Sequence, residues 1–186
     1  MPFWAIRCGR RLVSPMHNTD CPRCRWVTDD LLLQYHDTVY GLRRSTDREL
    51  FAKLCLEGFQ AGLSWRTVLA KQTALYAAFA EFDINACAEL SDVYLESQMQ
   101  NAAIIRNRRK IYAVRKNARA MLQHFSRPGS FLTLTYSGIT PDALSKQLKK
   151  LGFCFCGPTI CESYLMSVGA IEAHEPHCYL YGTQHA

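Results

Sequence analysis

The sequence of 186 residues has no long apolar run, and this absence excludes a membrane-spanning helix. A helix that crosses a bilayer needs roughly 18 or more consecutive apolar residues, and no such run occurs. A secretory signal places its basic residues before the apolar stretch. Here a very short apolar patch comes first, in MPFWAIRCGRRLVSP. We therefore expect a cytoplasmic protein with no membrane partner.

Strand patterns are also scarce, and glycine and proline number only 10 and 7. Apolar residues instead recur at helical spacing, which predicts an all-α fold. Residues 1–20 show no periodicity and are expected to form a poorly ordered extension, followed by a single helical domain over 21–186. Helices are predicted over 48–62 (with Asp47 as N-cap), 65–82, 85–100, 103–125, 141–150 and 158 to about 168, with a connector over 131–139.

The cysteine count and the net charge indicate what kind of ligand and partner to expect. Nine cysteines are an odd number in a long chain, which argues against a disulfide scaffold and favours reduced thiols, some of them metal ligands. The net charge of +6 favours a polyanionic partner without identifying one.

Soft metal ligands cluster near both ends of the chain. His174 and Cys178 are separated by three residues, so one turn of chain can present both to a single ion. A second pair can come from Cys24 and His36, or from Cys24 with Cys21 as a CxxC knuckle. His177 is an alternative to His174. Spacing over the 137 residues between the two clusters does not decide whether they meet.

Several long and unusual motifs occur together in a fixed order, and they carry a resemblance. They are RCRWV at 23–27, YHD at 35–37, CLEGFQAGLSW at 55–65, AIIRNRRKI at 103–111, DALSKQLKKLGF at 142–153 and GPTIC at 157–161. Over roughly residues 22 to 178, the chain resembles the bacterial 3-methyladenine DNA glycosylase I family. The resemblance implies a helix-hairpin-helix DNA glycosylase fold.

The resemblance also resolves the metal alternatives. Members of the family hold one structural zinc ion with ligands from both ends of the chain. Carried over to this sequence, the ligands are Cys24, His36, His174 and Cys178, and Cys21 and His177 are bystanders. A zinc ion at these four residues would join the N-terminal and C-terminal segments.

The activity that the resemblance implies is excision of 3-methyladenine from alkylated double-stranded DNA by a monomeric, monofunctional glycosylase. The damaged base is cationic and is flipped into an aromatic pocket, where the N-glycosidic bond is hydrolysed and free 3-methyladenine is released. Glu57 is the implied catalytic residue and accepts hydrogen bonds from the base. Tyr35 and Trp65 would stack on the base, and Tyr40 would line the cleft.

The implied DNA contacts lie in a loop and in a hairpin. The loop residues are Gly62 and Leu63, which would sit at the base stack. The hairpin covers about 142–168, and its turn is expected to offer backbone N–H groups to a phosphate. The predicted contacts there are Gly152, Phe153, Gly157, Lys149 and Lys150. Residues 158–160, at the start of its second helix, include no lysine, so no Schiff base and no lyase activity are expected.

Two charge patterns also have a plainer interpretation as solvated helix faces. Glu49, Lys53 and Glu57 recur at every fourth position. Seven basic residues between 106 and 119 form the other pattern, and some of them would contact the DNA backbone.

Departures from the family pattern leave an alternative function open. Leu32 occupies a position where a pocket tyrosine is expected, and Tyr40 and Tyr136 replace tryptophans. The connector over 131–141 is shortened. The alternative is a diverged paralogue that binds damaged DNA with little or no turnover. A helical zinc-binding module with another role on nucleic acid is a third interpretation.

Overall fold

The computed structural model describes residues 6–8, 11–13 and 21–183. Strands β1 (Ile6–Cys8) and β2 (Arg11–Val13) pair in antiparallel register, with Ile6 opposite Val13. The prediction of a poorly ordered extension over 1–20 otherwise falls on positions outside the described residues.

From residue 21 to residue 183 the chain is helical, which confirms the all-α prediction for this part. Ten α-helices follow one another in this range. They are α1 Asp30–Thr38, α2 Asp47–Gln60, α3 Trp65–Ala70, α4 Gln72–Ala78, α5 Ile84–Ala88, α6 Asp92–Ser97, α7 Arg108–His124, α8 Ser130–Thr135, α9 Pro141–Lys150 and α10 Pro158–Ser167. Two 3-10 turns cover Ala80–Phe82 and Gln98–Gln100. Among the described residues, no helix combines the length and the apolar character needed to span a membrane.

The helices belong to two compact units. The end unit contains the described residues of the ranges 1–43 and 166–186, and the central unit contains Arg44–Leu165. The central unit has a large apolar core, whose biggest fully buried side chains are Phe51, Phe59, Phe79, Phe82, Phe131 and Tyr164. The end unit has a small one, in which Cys24, Cys178 and Leu180 pack with Trp26, Val27 and Tyr179. The predicted single domain over 21–186 stays a prediction.

Helix α2 begins one residue earlier than predicted, because Thr46 and not Asp47 is its N-cap. The Thr46 side chain accepts from the N–H of Glu49, and the Glu49 carboxylate accepts from the N–H of Thr46, which completes a capping box. Asp47 instead accepts from the N–H groups of Gly129 and Leu132 at the start of α8, at 2.8 and 2.7 Å. The predicted connector therefore contains a helix that Asp47 anchors.

Two of the long predicted helices are interrupted. The stretch 65–82 divides into α3, α4 and a turn in which Ala80, Glu81 and Phe82 all have positive φ, between 50° and 54°. L-residues rarely adopt this conformation. The turn is stabilised because Arg48 donates to the Glu81 carbonyl at 2.7 Å and Phe82 is fully buried. The stretch 85–100 likewise divides into α5, α6 and a 3-10 turn, and α7 begins at Arg108 rather than at 103.

The helix-hairpin-helix element is present, with α9 and α10 joined by a tight turn. Gly152 follows α9 with a φ of +87°, as a left-handed helix end requires. Asn117 of α7 braces the turn, since its side chain donates to the Cys154 carbonyl at 3.1 Å and accepts from the Cys154 N–H at 2.7 Å. Ser145 adds a 2.7 Å hydrogen bond to the Cys156 carbonyl.

Candidate functional site

Four buried side chains converge in the end unit. The ligand atoms of Cys24, His36, His174 and Cys178 all lie within 4.8 Å of one another. His174 Nδ1 is 3.2 Å from His36 Nε2, 3.5 Å from the Cys24 sulfur and 3.7 Å from the Cys178 sulfur. Bond lengths of about 2.3 Å to sulfur and 2.0–2.1 Å to nitrogen at tetrahedral angles give ligand separations of about 3.3 to 3.8 Å. The cluster can therefore hold a metal ion.

The residues around the cluster orient its ligands. His36 Nδ1 lies 2.7 Å from the Asp37 carboxylate. Because a carboxylate accepts, the proton is on Nδ1, and the lone pair of Nε2 points into the cluster. Arg23 holds Asp37 in turn through hydrogen bonds of 2.8 and 3.1 Å. The Cys24 sulfur accepts from the Glu175 N–H at 3.3 Å.

Burial is the largest cause of the pKa shifts of His36, His174 and Cys24. It lowers the pKa of His36, and it lowers the pKa of His174 to about 4, with the neighbouring His36 as the next cause. Burial raises the pKa of the Cys24 thiol to about 12. The imidazoles are therefore neutral and ready to bind a metal at neutral pH, whereas the Cys24 thiol has to lose its proton when an ion binds.

The two alternative ligands lie outside the cluster. Cys21 is disulfide-bonded, so it offers no thiolate. The expectation of reduced thiols is wrong for Cys21. Among the side chains that the structure describes, it holds for Cys24, Cys55, Cys87, Cys154, Cys156, Cys161 and Cys178, which are free. The ring of His177 is half-exposed and its Nε2 lies 2.9 Å from the Arg23 carbonyl oxygen.

Three aromatic rings form a second cluster in the end unit. Tyr35 and Tyr40, both predicted to bind the base, have ring centroids 5.7 Å apart. Trp26 completes the group, 6.2 Å from Tyr35 and 5.1 Å edge-on from Tyr40. No role is predicted for Trp26 from the sequence, although it lies in the RCRWV motif two residues after Cys24. Leu32, the departure from the family pattern, is buried in α1.

In the central unit, the predicted catalytic carboxylate is buried and paired. Glu57 and Lys53 lie one turn apart on α2, with exposed fractions of 4% and 5%, so the interpretation as a solvated stripe is wrong for both. Lys53 Nζ is 3.0 Å from Glu57 Oε1 and 3.9 Å from the ring centroid of Trp65. Burial lowers the pKa of Lys53, and the Glu57 carboxylate opposes this shift.

Close packing explains why a glycine, Gly58, follows Glu57. A Cβ at Gly58 would lie 3.1 Å from Phe155 Cβ, and Phe155 has a positive φ of 53° in the hairpin turn. The absence of a side chain on α2 therefore lets the turn approach the helix that carries Glu57.

The predicted loop contacts lie on a hydrogen-bonded turn after α2. Gly62 has a φ of +77°, and the Leu63 N–H donates to the Gln60 carbonyl at 2.7 Å. Lys110 Nζ donates to the carbonyls of Phe59 and Ala61 at 2.8 and 2.6 Å. The apolar side chain of Leu63 is 38% exposed, so it is accessible from outside the protein. Such a side chain suits insertion into a base stack.

The hairpin uses several of its N–H groups internally. Those of Gly152 and Phe153 donate to the carbonyls of Lys149 and Leu148, and that of Cys154 donates to Asn117. The N–H groups that a phosphate could contact are therefore those in the later part of the turn, at Gly157, and in the first turn of α10.

The side chains of the hairpin differ in exposure. The Phe153 side chain is buried and stacks on Phe131, whereas Lys149 and Lys150 are exposed.

Several basic side chains of the run over 106–119 are buried or hydrogen-bonded within the central unit. Lys110 is buried. Arg115 donates to the Leu90 carbonyl, and Arg119 donates to the Ala88 carbonyl. Arg109 and Lys116 instead line a groove of about 420 Å³, whose other lining residues are Tyr112, Ala113, Cys154 and Phe155.

Comparisons with known proteins agree with this geometry. The model of the methyladenine glycosylase family matches residues 26–181. DNA-3-methyladenine glycosylase 1 of Escherichia coli (strain K12) is 38% identical over 180 residues, which cover 86% of this chain and 96% of that protein. A crystal structure of 3-methyladenine DNA glycosylase I superposes with a TM-score of 0.79 at 38% identity, over 84% of this chain and 98% of the other. The Staphylococcus aureus enzyme, whose structure addresses 3-methyladenine recognition, gives a TM-score of 0.78 at 32% identity, over 84% and 94%.

Proposed function

Because the chain belongs to the methyladenine glycosylase family, we propose that it excises 3-methyladenine from alkylated double-stranded DNA. The observation that carries the proposal is that the buried Glu57 carboxylate and the centroid of the Trp65 ring lie 3.0 and 3.9 Å from the Lys53 ammonium, inside the stretch that matches the family. A carboxylate and an aromatic face are the two groups that recognise a cationic purine.

The chemistry requires little acid or base assistance. Methylation at N3 leaves adenine positively charged in DNA, so the electron pair of the N-glycosidic bond passes to the base, which departs neutral. Water adds to the sugar carbon as oxocarbenium character develops there, and its proton passes to solvent. Glu57 accepts hydrogen bonds from the base and stabilises the positive charge that develops on the sugar. The assignment of Tyr35 and Tyr40 to base binding stays a prediction.

We assign the metal as one structural Zn²⁺. The donor set of two sulfurs and two imidazole nitrogens, together with separations of 3.2 to 3.7 Å, suits tetrahedral zinc. All four positions are filled by protein side chains, which is typical of a structural site rather than a catalytic one. Bound zinc would supply no step of base excision, and it would hold together the segments that carry Cys24 and Cys178.

The DNA contacts are assigned to two elements of the central unit. Leu63, on its braced loop, would enter the base stack. The turn at Gly157 and the exposed Lys149 and Lys150 would meet the phosphate backbone. Lysine is missing from the first turn of α10, where Pro158 begins the helix, so the enzyme is monofunctional. Borohydride treatment with an abasic duplex is expected to trap no covalent adduct. We further propose that the protein is a cytoplasmic monomer.

Release of free 3-methyladenine from methylated duplex DNA tests the function. The wild-type protein should release the base, and Glu57→Gln should lower kcat/KM by at least about 100-fold, because it removes the charge that meets the developing cation. Glu89→Gln, an exposed matched substitution in the same unit, should leave kcat/KM unchanged. Undetectable release by the wild-type protein, with retained DNA binding, would support the diverged paralogue instead.

A further inference from the structure

Lys53 is a buried charged residue that the proposed function leaves without a role. Its side chain lies on the same face of α2 as Glu57, and its exposed fraction is only 5%. Burying an ammonium group is costly unless its charge is compensated. Here the Glu57 carboxylate lies at 3.0 Å and the Trp65 ring centroid at 3.9 Å, so one cation contacts both an anion and an aromatic face.

These two contacts are the same ones that a cationic purine would need. Glu57 would accept hydrogen bonds from the base, and the Trp65 ring would offer it a π face. The Lys53 ammonium already makes both interactions within the protein. A positively charged ligand therefore meets a carboxylate that is neutralised and a second positive charge nearby, and both effects weaken its binding in a buried site of low dielectric. A neutral purine meets neither obstacle.

We propose that Lys53 is a specificity-determining residue whose ammonium holds the cation position on Glu57 and Trp65 and lowers the preference of this site for cationic over neutral purines. The proposal rests on the proposed function of Glu57 and Trp65 as the base-recognition pair. The proposed role of Lys53 differs in one respect from that of a purely structural salt bridge. A structural ion pair affects binding of both kinds of ligand alike, whereas a competing cation discriminates by ligand charge.

The test measures a selectivity ratio with two matched ligands. The ligands are 3,9-dimethyladeninium, which is permanently cationic, and 9-methyladenine, which is neutral. Dissociation constants are measured by calorimetry for the wild-type protein, Lys53→Met and Lys53→Arg. The Lys53→Met variant removes the competing charge at similar side-chain length, so it should raise the preference for the cation at least about 10-fold. The Lys53→Arg variant keeps the charge and should stay within about 2-fold of the wild-type ratio.

A second buried lysine provides the control. Lys110 is 7% exposed and donates to backbone carbonyls, without a carboxylate partner in its hydrogen bonds to Phe59 and Ala61. Lys110→Met removes a buried ammonium from the same unit and should leave the selectivity ratio as in the wild type, whatever it does to stability. If Lys53→Met does not fold, Lys53→Gln keeps a hydrogen-bond donor to Glu57 without the charge and should raise the ratio in the same direction.

The outcomes separate this inference from the proposed function. An increased ratio in Lys53→Met or Lys53→Gln supports the inference, even if the wild-type protein releases no base from DNA. An unchanged or lowered ratio in both variants overturns it, and so does failure of every folded variant to bind either ligand. Base release from DNA by the wild-type protein is measured separately, so failure of the glycosylase proposal is recognised independently.

Discussion

The end unit and the central unit are stabilised in different ways. In the central unit, large aromatic residues such as Phe51, Phe79 and Tyr164 are fully buried, and burial of each contributes about 1.5–3 kcal/mol by the hydrophobic effect. In the end unit, the cluster of four buried side chains contains two imidazoles and two thiols, and the polar imidazoles gain little from burial alone. The comparison indicates that the central unit depends on apolar packing, whereas the end unit would depend on bonds to the zinc ion proposed above.

The backbone of the end unit supports the same distinction. Gly169, with a φ of +66°, approaches Gly41 so closely that a Cβ would lie 2.2 Å from the Gly41 carbonyl oxygen. The Gly41 N–H donates to the Ser167 carbonyl at 3.1 Å. Side-chain packing is replaced here by direct contact between two backbone segments, which only glycine permits.

Removal of one metal ligand is expected to have the largest effect. Cys178→Ser should abolish stoichiometric zinc and lower the free energy of unfolding by about 3 to 5 kcal/mol, because a hydroxyl is a poor zinc ligand and the buried histidines lose their partner. The control is Cys87→Ser in the central unit, where the buried thiol donates to the Phe79 carbonyl and a hydroxyl can do the same. Metal analysis and chemical denaturation check both variants. Full zinc content in Cys178→Ser would contradict the ligand assignment.

The next effect tests the close backbone contact in the end unit. Gly169→Ala should destabilise the protein by about 3 kcal/mol, since it combines left-handed strain with a steric clash. Gly182→Ala is the matched control, because Gly182 has a similar φ of +69° but open space around its Cβ position. It should cost about 1 kcal/mol from the backbone conformation alone. Equal losses in the two variants would show that the contact with Gly41 contributes nothing.

A smaller effect is expected at the hairpin of the central unit. Asn117→Ala removes both hydrogen bonds to the Cys154 backbone and should cost about 2 kcal/mol, because a partly buried N–H and a carbonyl lose their partners. Gln123→Ala, an exposed position on the same helix, should be neutral. Denaturant midpoints measure both. Zinc content should stay complete in Asn117→Ala, and metal loss there would break the distinction between the units.

The sequence predicted the parts of the fold and of the site that depend on local pattern. Helical periodicity gave α2, α9 and α10 nearly in full, because their apolar faces are continuous and their ends carry caps or glycine. The pairing of His174 and Cys178 was also visible in the spacing. The meeting of these residues with Cys24 and His36 was not, because it depends on the path of the whole chain, and only the family resemblance supplied it.

The remaining misses concern charged residues that tertiary contacts hold inside. A solvated face is the plainer interpretation of the sequence for Lys53 and Lys110, because each belongs to a helical pattern of charges, yet one pairs with a carboxylate and the other caps α2. Asp47 was predicted as an N-cap from its position, but the N–H groups of α8 compete for its carboxylate. The left-handed turn over Ala80–Phe82 has no signal in residue type, since it contains no glycine.

Hydrogen exchange with and without a metal chelator tests the central comparison most directly. Zinc removal is expected to abolish amide protection in α1 (Asp30–Thr38) and around 173–181, because these segments are joined by the ligands, while α2 and α7 of the central unit keep their protection. Full protection of α1 in the metal-free protein, or equal loss of protection in α1 and α7, would contradict the account.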